Sequence, residues 1–188
     1  MRIRLRSAPS KDELDRLYPA PHQHRRWPDH ILRVAATVEM ARKLPFPQNG
    51  TLADLSCGDA TIAYQMRASH GAKLILGDYA PGYEYTGPIE ETIANVEPGQ
   101  VHLWVCSETL EHLEDPDHVL AEIRERTDHL IVSTPAGEID SHNPEHIWGW
   151  DCEEMRSMLA TAGFEPVLHE VMDHPAGSIY RFQLWGCA

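Results

Sequence analysis

Long apolar runs are missing from this 188-residue sequence. No stretch approaches the roughly 20 consecutive apolar residues that a membrane-spanning helix needs. The opening MRIRLRSAPSKDELDRL has no apolar core of the kind that marks a secretion signal, so the cytoplasm is the expected compartment and no membrane association is expected. Cysteine is sparse and scattered. Cys57, Cys106, Cys152 and Cys187 form no C-x-x-C pair, which argues against a disulfide framework or a structural zinc knuckle and for reduced, mostly buried thiols. Positive charge is also short: 16 Lys and Arg face 29 Asp and Glu, a formal net charge of −13. The cations that are present crowd the amino end, where residues 1–44 carry +5 while residues 45–188 carry −18. A body this acidic repels a phosphate backbone, so extended nucleic-acid binding is disfavoured. The basic arm could grip one anionic group of a ligand, or lie on its own acidic body, which is the expected arrangement.

With 42% apolar and 24% charged residues the composition is that of a folded globular chain, and the length suits one domain. Residues 1–44 read as an arm and a helix belonging to that domain, and residues 45–188 as its main body. Residues 1–29, rich in Pro, His and Arg, read as irregular. Asp29 is placed to cap a helix over 30–44, which Pro45 and Pro47 would end.

From there short apolar strands alternate with helices. Strands are expected over 51–55 and 74–78, with a helix over 61–70 closed by Gly71. A buried strand is expected over 101–106. A helix should start at Asp115-Pro116, followed by a strand over 130–132. A further helix after Asp151 has Glu154 at capping-box spacing. Strands over 166–171 and 178–185 flank DHPAG as a hairpin. The expected fold is therefore α/β: a Rossmann-like, doubly wound, mostly parallel sheet with a C-terminal antiparallel hairpin. The stretch 78–101 is too short and too irregular for a full helix after the second strand.

Two features point to a nucleoside-containing ligand. TLADLSCGDATIA puts Asp54 at a strand end, then a tight loop of small residues, then a helix whose first N–H groups are free. Asp78 ends the next strand at a separation suited to a carboxylate that holds ribose hydroxyls. At this point the sequence resembles the class I S-adenosylmethionine-dependent methyltransferases. DLSCGDA is similar to their first motif, LILGDYAP to the second, HLWVCSETLEHLEDPDHVLAEI to the fourth, and IVSTP to the fifth strand and its loop. NPEHIWGWDCEEMRSMLATAGFEPV resembles their usual ending. The likeness runs from about Asp54 to Phe164. Ser56 and Ala60 stand where the family's first motif has glycine, leaving only Gly58.

The resemblance implies S-adenosylmethionine as cofactor. It places Asp54, Ser56 and Gly58 around the methionine part, Asp78 on the ribose, Tyr79, Ile89 and Glu90 near the adenine, and Ser107 closing the site. Ordinary packing is the other reading of Tyr79.

Glu108, Glu111 and His112 form E-x-x-E-H, and spacings of three and four put them on one face if the segment is helical. His146, in NPEHIWGW, is a candidate fourth member. Carboxylates with imidazoles can hold Mg²⁺ or Mn²⁺ beside a hydroxyl. The pattern resembles metal-dependent methyltransferases of the 3′-terminal ribose of small RNAs, which also share a TP-x-x-E segment, and the ubiquinone-pathway O-methyltransferases. L-E-H-L also occurs in the class without a metal, in which case His112 packs near the cofactor and Glu111 is solvated.

The arm's HQHRRWPDH (His22, His24, Arg25, Arg26, Trp27, His30) reads either as a substrate lid or as a segment docked by Trp27 on its own domain. The expected activity is methyl transfer to a small-molecule acceptor, on oxygen, with His112 or His146 as general base or metal ligand. The alternatives are 2′-O-methylation of an RNA 3′-terminal ribose and a non-catalytic, cofactor-binding subunit. The sequence does not specify an oligomeric state.

Overall fold

The computed structural model describes residues 1–138, 143–173 and 181–188. In chain order the elements begin with β1 (Arg2–Arg4), α1 (Lys11–Leu17), α2 (Pro28–Ala41), β2 (Thr51–Asp54), α3 (Thr61–His70) and β3 (Lys73–Asp78). Then come β4 (Tyr85–Thr86), the single turn α4 (Ile89–Thr92), β5 (Leu103–Ser107) and a 3₁₀ turn at Leu110–His112. The chain closes with α5 (Pro116–Arg126), β6 (Leu130–Pro135), β7 (Trp148–Trp150), α6 (Cys152–Thr161), β8 (Pro166–Asp173) and β9 (Arg181–Cys187).

The main sheet has seven strands in the order β4-β3-β2-β5-β6-β9-β8. All pairings are parallel except those of β9, which is antiparallel to both β6 and β8. This is the expected doubly wound sheet with an antiparallel edge. The expected turn between the last two strands lies in 174–180, outside the described residues. Among the described residues no helix is long and apolar enough to cross a membrane.

Alternation along the strands divides the core. Trp104 and Cys106 of β5 join Val119, Leu120, Ile123, Met155 and Leu159 on one face of the sheet. Leu103 and Val105 meet Val34, Val38, Met40, Ile62 and Met66 on the other. The helix α2 thus contributes its apolar stripe to the same core as α3.

Several local signals act as expected. Gly71 caps α3 in the left-handed conformation, with φ +67. The Asp115 carboxylate accepts from His118 N–H, and that of Asp151 from Glu154 N–H. The segment after β3 holds β4, α4 and a 3₁₀ turn at Ile93–Asn95, the reduced helix the sequence implied.

Three expectations need correction. Trp27, not Asp29, is the N-cap of α2, because Pro28 occupies the first helical position with its φ already set. That helix ends at Ala41, before the prolines. The arm is not irregular either. Ser10 and Glu13 close α1 with a capping box, the Glu13 carboxylate accepting from Ser10 N–H at 2.7 Å. The strand β1 pairs antiparallel with β7, setting Ile3 opposite Gly149. A Cβ at Gly149 would lie 1.8 Å from the Glu138 carbonyl oxygen, so only glycine fits there. Arg2 pairs with Asp117, and Arg4 donates to Glu114 at 2.7 Å. The basic arm does lie on the acidic body.

Candidate active site

The sheet order reverses direction between β2 and β5, and the crevice outside their carboxyl ends is where a doubly wound sheet binds ligands. A cavity of about 620 Å³ opens there. Its walls include Asp54, Ser56, Gly58, Asp78, Tyr79, Ile89, Glu90 and Ser107, together with Glu108, His112 and His146. Glu111 sits behind the wall, fully buried.

The loop after β2 is built around backbone donors. Gly58 N–H donates to Asp78 Oδ2 at 2.8 Å, and Ala80 N–H donates to Asp78 Oδ1 at 3.0 Å. Ser56 N–H donates to Asp54 Oδ1 at 3.1 Å. Burial pushes the Asp54 carboxyl up to about 7, with the Ser56 N–H partly opposing and the Asp78 charge adding to the rise. Gly58 has φ +52, and a Cβ there would meet the His22 carbonyl at 3.6 Å. Ala60, where the resembling family has glycine, also adopts a left-handed φ of +55, a conformation that costs a non-glycine residue about 1–2 kcal/mol. Ile89 faces the cavity but is 5% exposed, part of the core. The Ser107 hydroxyl is bonded to that of Ser133 at 2.9 Å. Tyr79 donates its hydroxyl to Asp15 of α1 at 2.6 Å, so it ties the arm to the rim of the cleft.

At the far end, Glu111, His112 and His146 each offer a ligand atom, and these atoms lie within 4.8 Å of one another. The His112 Nδ1–H donates to the Glu145 carbonyl at 3.1 Å, which leaves Nε2 as a lone pair 3.9 Å from Glu111 Oε1. Burial, and then the neighbouring His146, push the His112 pKa down to about 4. Glu111 accepts from the Thr134 hydroxyl on Oε2, while its buried Oε1 has no hydrogen-bond partner. Burial and then the Glu108 charge push Glu111 up to about 8. Held above neutrality, the Glu111 carboxyl keeps a proton that faces the His112 Nε2 lone pair, and a cation bound between the two would displace that proton.

His146 has both ring nitrogens engaged. Asn143 accepts from Glu145 N–H through Oδ1, so its amide N–H is the group that donates to His146 Nε2 at 2.8 Å. The proton therefore sits on Nδ1, which donates to Glu138 Oε2 at 2.7 Å. Burial works against a charge on His146, but the Glu138 hydrogen bond and the Glu111 charge outweigh it and raise its pKa.

Glu108 does not join this group. Its φ is +51, outside any helical turn, and its carboxylate lies 3.8 Å from Arg33 of α2 instead. The E-x-x-E-H residues are therefore not on one helical face, and Glu111 is buried rather than solvated. Several contributors were not singled out from the sequence. Arg33 lies in the middle of an expected helix, away from any motif. Thr109 links the two loops through the Ser56 hydroxyl at 2.7 Å. Asn143 could have been found, since N-P-E carries the side-chain-to-backbone turn that orients it.

No protein-family model matches the chain, and no curated protein matches its sequence. Solved structures do match its shape. The [4+2]-cyclase SpnF superposes with a TM-score of 0.73 at 10% identity, covering 97% of each chain. A 1,6-didemethyltoxoflavin-N1-methyltransferase from Burkholderia thailandensis, solved with 1,6-didemethyltoxoflavin and S-adenosylhomocysteine, has a TM-score of 0.67 at 14% identity, over 81% of this chain and 76% of that one. A SAM-dependent methyltransferase from Leishmania major gives 0.67 at 12% identity, over 85% and 74%. The chain has the fold of the class I methyltransferases. Because a protein named as a cyclase shares it, the fold alone does not specify the reaction.

Proposed function

We propose that this protein is an S-adenosylmethionine-dependent methyltransferase acting on a hydroxyl of a small molecule. The observation that carries the reading is the cavity itself, which gathers the residues expected for the cofactor at one end and the His112–His146 pair at the other. Bound there, S-adenosylmethionine would supply a methyl group already activated as a sulfonium. The residues around it have three tasks. Gly58 keeps the loop open to close approach, and Asp78, held by two N–H donors, keeps lone pairs for ribose hydroxyls. Asp54 offers a buried carboxylate to a cationic group. The arm residues Tyr18, His22, His24 and Trp27, which also line the cavity, exclude water and hold donor and acceptor together, where effective molarity supplies several kcal/mol of the barrier.

The acceptor hydroxyl would sit against His112, which lines the cavity with the Glu111 carboxyl behind it. The hydroxyl proton has two routes. In the first, Glu111, His112 and His146 hold a divalent ion such as Mg²⁺ or Mn²⁺, which would acidify the hydroxyl; the unpartnered Glu111 Oε1 favours this. In the second, His146, oriented by Glu138, takes the proton on Nε2, where the acceptor hydroxyl would have to replace the Asn143 amide as hydrogen-bond partner. An RNA 3′ end is a poorer acceptor for so acidic a protein. Calorimetric titration with S-adenosylmethionine tests the reading: saturable binding is expected, and its absence in folded protein overturns it. Binding without methyl transfer to any of a panel of small hydroxyl compounds would instead support a non-catalytic, cofactor-binding subunit.

A further inference from the structure

Beside the E-H cluster, on the wall made by α2 and the residue after β5, lies a second set of polar groups that the proposed chemistry does not use. Arg33 is 8% exposed, yet among the described residues the one hydrogen bond its guanidinium makes runs from Nη2 to His30 Nδ1, at 3.2 Å. Its Nε is buried without a partner. Because His30 Nδ1 accepts, the proton of that ring is on Nε2, which is also buried without a hydrogen bond, 3.8 Å from Asp59 Oδ1. Glu108 adds the complementary group, a buried Oε1 with no partner. Arg33, His30 and Glu108 all line the cavity.

Two further facts make this wall a built feature. Glu108 holds a left-handed backbone, φ +51, fixed by its N–H donating to Ser133 O at 2.9 Å. A non-glycine residue keeps such a conformation when its surroundings over-determine it, and such positions gather at binding sites. Here it turns the carboxylate toward α2. Planar groups also surround the wall. The His24 ring packs 4.6 Å from Trp27 and 5.7 Å from His30, and the Arg33 guanidinium lies 5.9 Å from the Phe182 ring.

The charges select against ions. Arg33 stands 3.8 Å from both Asp29 and Glu108, and Arg25 lies 3.4 Å from Asp59, so each cation of the wall has a carboxylate counterpart while the buried Arg33 Nε is not satisfied. A full anion would meet Asp29, Asp59 and Glu108; a full cation would meet Arg33. The ligand that completes this wall is neutral, flat, and carries an acceptor and a donor side by side. We propose that Arg33, His30 and Glu108 form the acceptor-recognition wall of the cleft and that it takes a neutral heteroaromatic molecule of the lactam type. Arg33 and His30 donate to the ring carbonyl, and Glu108 accepts from the adjacent ring N–H. The inference rests on the methyltransferase reading, since it assigns this end of the cleft to the methyl acceptor.

The test uses full-length protein saturated with S-adenosylhomocysteine, whose own binding is measured first by calorimetry. Lumazine, a neutral bicyclic lactam, is compared with benzoate and benzylamine by saturation-transfer NMR competition. Lumazine should bind at least about tenfold more tightly than either ion, because buried donors and acceptors penalise a ligand that leaves them unpaired. Arg33→Met should weaken lumazine by about tenfold or more with S-adenosylhomocysteine affinity unchanged. Since Arg33→Met could fail to fold, Glu108→Gly is the second variant. It relieves the left-handed backbone, so it should melt no lower than the parent while still losing lumazine. Failure of S-adenosylhomocysteine to bind overturns the methyltransferase reading. With that binding intact, the inference alone is overturned if lumazine fails to bind, if an ion binds better, or if Glu108→Gly keeps full lumazine affinity.

Discussion

In the cofactor half of the cleft, Asp54 and Asp78 already accept from the backbone N–H groups of Ser56, Gly58 and Ala80. In the acceptor half, Glu111 Oε1, Glu108 Oε1, Arg33 Nε and His30 Nε2 are buried without hydrogen bonds. A carboxylate satisfied by main-chain donors is fixed whether or not a ligand is present. A buried polar atom without a partner costs about 1–3 kcal/mol, which a ligand that pairs it would return as affinity. On the proposed reading, the first half would be preorganised for a constant cofactor, and the second would store the energy that distinguishes one acceptor from another.

The comparison breaks most visibly at Gly58. Replacing it with valine adds a branched side chain at φ +52 facing the His22 carbonyl, and cofactor binding should be lost while circular dichroism still shows a folded protein. Retained S-adenosylmethionine binding would mean that the cofactor does not lie over this loop.

His146→Ala should cut turnover by about 10²-fold or more with cofactor affinity unchanged, because its partners belong to the acceptor half. The same assay with EDTA separates the two proton routes. Loss of activity, restored by Mg²⁺ or Mn²⁺, indicates the ion. EDTA-insensitive turnover should instead show an acidic limb above the ordinary histidine value, since the His146 pKa is raised. A limb near pH 4 would point to His112.

Asp78→Ala should weaken cofactor binding by about 1–3 kcal/mol, the worth of charge-assisted hydrogen bonds. It should also lower Tm, because it strips the partner from Gly58 N–H. Unchanged affinity by calorimetry would remove Asp78 from the ribose.

The smallest effect concerns pH. Asp54 titrates near 7 in the folded chain, above its ordinary value, so the folded state binds the extra proton and this group's contribution to stability falls as pH rises through that window. A cationic ligand group favours the ionised form. S-adenosylmethionine affinity should therefore rise by about tenfold between pH 6 and 8, and Asp54→Asn should flatten the dependence. A flat profile in the parent would detach Asp54 from the cofactor.

The same division governs what the sequence could disclose. α3 is found within its true bounds because its start, apolar stripe and Gly71 cap are all local. The strand-end and loop positions of Asp54, Gly58 and Asp78 are legible for the same reason, since they lie in short runs whose order along the chain is their order in space. The acceptor half draws on α2, the end of β5 and the segment before β7, and nothing local says that these meet. Glu108 shows the cost. Its spacing to Glu111 and His112 suggests a shared helical face, but the sign of one φ angle sends it across the cleft to Arg33. β1 and β7, three residues each, are too short to announce themselves without their partner.

That partnership also sets an order of assembly. Met1 donates to Asp151, 150 positions away, Leu5 N–H bonds to the Ile147 carbonyl, and Ile147 N–H bonds to Glu111. β1 leaves the ribosome well before its partner and has nothing to pair with until Trp148–Trp150 has emerged. Closing so long a loop is slow, and its entropy must be met before the contact returns anything. The loop around Gly58, whose strands are neighbours in sequence, can form early; the ring that carries His146 into place closes last. A nascent chain would thus acquire its cofactor grip before its acceptor pocket.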